Sequence, residues 1–312
     1  MTCNHTIHKN NHHFGWDNSI EPLLSVQPGK TVAVETIDSS GGQLSATATL
    51  SDLEKLDFEK VNPVTGPIYI EGAEPGDVVV ISFLEFHPSG WGWTANIPGF
   101  GLLSNEFPDA ALNIWNYETD LSMPAAFNTC GAVPLKPFVG TIGLAPKELG
   151  PHSVVPPRRV GGNMDIRDNC QGSKLYLPVE VDGGLLSLGD THAAQGDGEI
   201  CGTAIESPMD VEIKLELIKA ADQRLPRLET FGPVTRHNDS KGYRITTGIG
   251  PDLMECAKDA VREMIDWITA ETKISAVDAY MLASVAGDLR ISEIVDIPNW
   301  VVSFYFPKAV FE

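Results

Sequence analysis

The run Met209-Asp-Val-Glu-Ile-Lys-Leu-Glu-Leu217 constrains the fold more than any other stretch, because Val211, Ile213, Leu215 and Leu217 alternate with charged or polar neighbours. A period of two puts one set of side chains in a core and the other in water, which is the pattern of a half-buried strand. Pro28 to Asp38 and Pro75 to Glu85 each open on a Pro-Gly turn and continue as β-branched runs, so both read as strands. Asn62 to Tyr69 reads as a turn entering another strand, Leu175 to Val181 as a further one, and Trp300 to Phe306 as the last. With 29 glycines and 22 prolines scattered among apolar runs over 312 residues, the chain reads as turn-rich and mainly β.

Helical periodicity is concentrated near the end. Asp252 to Thr272 sets Leu253, Cys256, Ala260, Met264, Trp267 and Ile268 at three- and four-residue spacing, and Ser275 to Ala286 puts Val277, Tyr280, Met281 and Ser284 on one side. A short helix is expected over Leu53 to Phe58, with Ser51 as its N-cap. Pro88 to Gly101, where Trp91, Trp93 and Phe100 lie among glycines, reads as a long shaped loop able to wall a pocket. Three parts follow, 1–130, 131–220 with the candidate site, and an α/β part at 221–312, joined without linkers into one integrated globular unit.

The 42 acidic residues outnumber 22 basic ones, for a net charge of −20, and a field of that sign disfavours nucleic acid and anionic membrane surfaces. No apolar run approaches the ~20 residues that span a bilayer. The five cysteines, an odd number without a Cys-x-x-Cys pair, suit reduced thiols in a cytoplasmic compartment.

The chemistry concentrates between Gly161 and Glu206. Gly161-Gly-Asn-Met-Asp165 is followed by Asp190, His192, Asp197 and Glu199, packed into ten residues with glycines between them. Carboxylates aimed into one tight pocket repel each other, and a divalent cation relieves that repulsion with Asp, Glu and His as its ligand types. Asp190-x-His192 faces one side of an extended strand, and Asp165 can reach the same point from its glycine-rich turn. On spacing alone, a hairpin turn with hydrated acids is the competing reading. Cys201 is a second chemical possibility, as a nucleophile with Glu199 as base, although no lysine is near it in sequence. His5, His8, His12 and His13 read as a chain-end cluster, His87 as a pocket-lining candidate, and His152 and His237 as loop residues without a role.

Gly161 to Asp165, Leu188-Gly-Asp-Thr-His-Ala-Ala-Gln-Gly-Asp-Gly-Glu-Ile-Cys-Gly202, Asn62 to Asp77, Ala279 to Ser292 and His13 to Ser19 together resemble the signature segments of the acetamidase/formamidase family, along essentially the whole chain. The resemblance implies hydrolysis of short aliphatic amides such as formamide or acetamide. It also implies a jelly-roll-like sandwich with a barrel-like β core, a homodimer or larger homo-oligomer, and divalent zinc or calcium. Under it, Asp165, Asp190 and His192 are expected to hold the metal, with Asp38 as an additional ligand. Glu199 is expected to shuttle a proton beside Asp190 and His192, with Gln195, Gly196, Gly198 and Gly202 facing substrate and the glycine N–H groups stabilising its oxyanion. The competing class is a metal-binding β-sandwich module without turnover.

Overall fold

A computed structural model describes residues 5–221, 223–232, 238 and 240–311; Cys3 and His237 lie outside them. The alternating run forms strand Met209–Ile218, paired antiparallel with Thr31–Glu35 on one side and Val78–Pro88 on the other. These three strands are the centre of a six-stranded sheet. His5–Ile7 lies beyond Thr31–Glu35, and Lys174–Pro178 with Arg227–Glu229 beyond Val78–Pro88.

A second sheet runs Gly161–Asn163, Phe138–Gly143, Leu186–His192, Val64–Ile70 and His12–His13, with Leu24–Val26 also on Val64–Ile70. Val34, Ile81, Leu177 and Ile213 of the first sheet share one fully buried core with Ile68, Ile142, Leu186 and Leu188 of the second. Burying apolar surface at ~25 cal/mol per Å² makes this shared core the main force holding the sandwich closed. Both sheets contain strands from 1–130 and from 131–220, so the two stretches build one sandwich together.

The C-terminal part adds a three-stranded sheet, Tyr243–Gly250, Trp300–Pro307 and Asp288–Glu293. Helix Leu253–Thr272 packs on it with Cys256, Ala260, Val261, Met264, Ile265 and Ile268 buried, starting at an Asp252 N-cap. Trp267, placed by spacing on the apolar face, is 40% exposed and lies under the Arg244 guanidinium. Helix Ala276–Ala286 is buried on every side from Ala279 onward, which one-sided patterning did not anticipate. No helix among the described residues is long and apolar enough to cross a membrane.

Two expectations need correction. The helix expected at Leu53 to Phe58 is a single turn at Leu50–Leu53, capped by Thr49 and Asp52 rather than Ser51, with a 3-10 turn at Phe58–Lys60. The aromatic stretch is a hairpin rather than a loop, since Trp91–Asn96 pairs antiparallel with Ala111–Asn116. Gly92 marks a close approach there: a β-carbon would sit 2.6 Å from the Glu206 carbonyl oxygen.

Candidate active site

Strand Leu186–His192 carries the two central groups. The backbone at Asp190 has φ of +50°, yet its carboxylate still reaches its i+2 neighbour, with Oδ1 3.0 Å from His192 Nε2. The same imidazole nitrogen lies 3.1 Å from Glu206 Oε2, while Nδ1 contacts Gln195 Oε1 at 3.0 Å. Gln195 in turn donates from Nε2 to the carbonyl of Asp165. The ring is fully buried and edge-on to Phe138. Glu206 is brought in by its backbone, which bridges both His192 and Trp93 where the hairpin meets the sandwich. Its carboxylate also accepts from the Ser39 hydroxyl at 2.7 Å and the Ala204 N–H at 2.8 Å.

Asp165 and Glu199 complete the group from two loops. One donor atom each from Asp165, Asp190 and His192 lie within 4.8 Å of one another, and so do those of His192, Glu199 and Glu206. Asp165, Asp190 and Glu199 have φ between +44° and +50°, and are three of the nine positive-φ non-glycine residues in the described chain. Left-handed backbone costs about 1–2 kcal/mol for a residue with a side chain, and such strain gathers where a side chain must be aimed. A clamp fixes both loops: Arg167 forms a bidentate pair with buried Asp288, whose Oδ1 also accepts the Asp197 N–H.

Electrostatics follow from burial. The Asp165 carboxyl is pushed up to about 7, first by desolvation and then by the Asp190 charge. Burial, reinforced by Asp165, holds Glu199 well above the usual carboxylate range, and burial raises Glu206 against the pull of His192. Burial by itself would lower His192 and raise Asp190. The Glu206 and Asp190 charges raise His192 and the His192 charge lowers Asp190, so His192 sits well above its ordinary value and Asp190 below.

These groups form the floor of a cavity of about 270 Å³, lined by Asp165, Asp190, Glu199, Gly202 and Glu206 and walled by Leu56, Trp93, Ile97 and Phe100. The residues fit a divalent cation. Asp165 Oδ1 is buried without a hydrogen-bond partner, and an uncompensated buried acceptor is costly. A carboxylate–imidazole donor set is the kind that zinc and related ions take. Gly140 keeps the space open, since a β-carbon there would meet Asp165 Oδ1 at 2.7 Å and His192 Cε1 at 2.9 Å.

Other expected residues are placed differently. Asp38 is in neither convergent group of the floor; its carboxylate accepts from the Ser40 and Gly42 N–H groups and Trp93 Nε1, and so shapes the wall as a turn. The Gly196 and Gly202 N–H groups donate to the carbonyls of Ser284 and Glu199, so they are spent within the protein rather than offered to an oxyanion. Gly198 opens toward Leu289 in a separate surface cleft. Cys201 is fully buried against the Ala95 carbonyl and Thr203, its thiol pushed up by burial, and does not line the cavity. His87 faces away, 3.5 Å from Glu212 on the outer sheet surface, and His8 and His13 are tied to Glu35 and Ser187. Glu206 was not expected as a site residue, and its sequence signal is one acid set between Ile205 and Ser207.

The family model described as Acetamidase/Formamidase matches residues 2–153 and 150–312. This chain belongs to the acetamidase/formamidase family. It is therefore an amide-hydrolysing enzyme. A formamidase of Methylophilus methylotrophus is 29% identical over 96% of this chain and 89% of its own length. Among solved structures, an acetamidase from Bacillus halodurans is 34% identical, with a TM-score of 0.68 over 97% of both chains. A γ-lactamase from Delftia acidovorans is 26% identical, with a TM-score of 0.90 over 99% of this chain and 93% of its own.

Proposed function

We propose that the chain hydrolyses short aliphatic amides to a carboxylate and ammonia in the cavity floored by Asp165, Asp190, Glu199 and Glu206 around the buried His192, and that the reaction depends on a divalent cation of the zinc or calcium kind. The observation that carries this is the convergence of those groups on one imidazole, with Asp165 Oδ1 left without a partner. Asp165, Asp190 and His192 would hold the cation, and Glu206 lies against the same Nε2 of that imidazole. When bound, the cation supplies Lewis acidity toward the amide carbonyl and lowers the pKa of water.

The remaining work belongs to the chain. Gln195 fixes the His192 ring by its contact at Nδ1, leaving Nε2 toward the floor. The Glu199 carboxyl has no hydrogen-bond partner among the described residues and lines the cavity, so it is free to meet the substrate nitrogen. Raised well above the ordinary range, it holds a proton where a free carboxyl would not, which suits transfer to departing ammonia. The apolar walls exclude water around the floor and strengthen each of these interactions. Glu199→Gln is expected to lower kcat about 10²–10⁴-fold without lowering the melting temperature; a kcat within about threefold of the parent, far short of a general acid's contribution, would remove Glu199 from the reaction.

A second reading takes a cyclic amide of the γ-lactam kind as substrate. The TM-score of 0.90 to the γ-lactamase, against 0.68 for an acetamidase of higher identity, favours it. Ring opening against ammonia release, measured on one preparation, separates the two.

A further inference from the structure

The cavity changes character from floor to mouth, and the mouth has no use in hydrolysing formamide. Above the carboxyl floor stand Trp93 and Ile97, and at the rim are Phe58, Phe100 and Val155. Phe58 comes from the 3-10 turn and Phe100 from the turn after Trp91–Asn96, yet their rings stack with centroids 5.7 Å apart and planes within 5°. They are 51% and 48% exposed, so their contact buries too little apolar surface to be explained by core packing.

The cavity of about 270 Å³ is close to the range of sites enclosing drug-sized ligands, about 300–1,000 Å³. Formamide and acetamide are far smaller than such ligands. Orientation decides which part of a larger amide would fill the rest. The carbonyl oxygen and the nitrogen both have partners on the floor, at the His192 cluster and at Glu199. Only the substituent on the carbonyl carbon is left to point outward.

We propose that the enzyme selects primary amides whose acyl group is apolar and several carbons long or a flat ring, with Phe58 and Phe100 as the residues that discriminate. The inference rests on the amide-hydrolase reading of the floor. An added methylene in an apolar pocket is worth about 10–200-fold in kcat/KM, and the partly open mouth places this enzyme at the low end.

The test compares kcat/KM for formamide, acetamide, butyramide and benzamide on metal-loaded protein, with Phe58→Ala, Phe100→Ala and the conservative Phe58→Leu. Butyramide is expected to exceed acetamide by about tenfold or more. Each alanine variant should lower that butyramide-to-acetamide ratio by about five- to tenfold, and leucine should lower it less. Calorimetric titration of the metal-free protein with benzamide gives a readout independent of turnover, and binding should weaken in both alanine variants. A ratio at or below one in the parent, or a ratio unmoved by either alanine variant at native melting temperature, overturns the proposal while the amide reading stands. Ammonia release from none of the four amides overturns the reading beneath it as well.

Discussion

The molecule brings histidine and carboxylates together in two regions, and they behave differently. On the outer face of the first sheet, Glu85, His87 and Glu212 place donor atoms within 4.8 Å of one another, as the cavity groups do. Glu85 and Glu212 face each other across the strand pair beside a bulge that turns Phe83 and Phe86 inward and Glu85 and His87 outward. Water screens that cluster. At the cavity floor His192 and its neighbours are sealed, the carboxyls are shifted, and three of the acidic residues sit on left-handed backbone. Equal proximity therefore carries unequal cost, and the costly cluster is the one with a ligand-shaped space above it.

The largest effect that sharpens this contrast is removal of each histidine. His192→Ala leaves the floor carboxylates without their buried partner and is expected to cost about 3–5 kcal/mol of stability, together with nearly all activity. His87→Ala, at a half-exposed pair, should change stability by no more than about 0.5 kcal/mol and leave ammonia release untouched. Chemical denaturation and initial rates on both variants check this. Equal losses would erase the distinction.

A smaller effect is the dependence on pH. The Asp165 carboxyl is raised to about 7 from an ordinary 3.8, so between those values the folded state keeps a proton that the unfolded state has lost. The Asp165 contribution to the stability of the metal-free protein therefore falls as pH climbs from about 4 to about 7. Glu199 and Glu206, also raised by burial, act in the same sense. If Asp165 holds the proposed cation, binding displaces its proton, and the apparent affinity should rise with pH up to about 7. Melting temperatures across pH with and without added zinc measure both trends, and Asp165→Asn should flatten the first.

What the sequence showed and what it hid follow from the range of each signal. Asp190 and His192 are legible because they are two apart on a strand, and Asp165 because a glycine turn delivers it nearby. Glu206 reaches His192 through a backbone bridge 14 residues later, which no local spacing encodes. Asp38 reads as a spare ligand until its three donors are seen. The Trp91–Asn96 hairpin reads as a loop because Gly92 signals a turn, whereas it serves to let Glu206 come close. The alternating run Met209 to Leu217 specifies the central strand directly, but the pairing of sheets drawn from distant stretches is a tertiary choice.

The most direct measurement of the central claim is ammonia release from a short amide by one preparation as isolated, after exhaustive chelation, and after restoring zinc or calcium, with metal content determined at each stage. The account predicts activity lost with the metal and regained with about one cation per cavity. Full turnover by protein shown to be metal-free would contradict it.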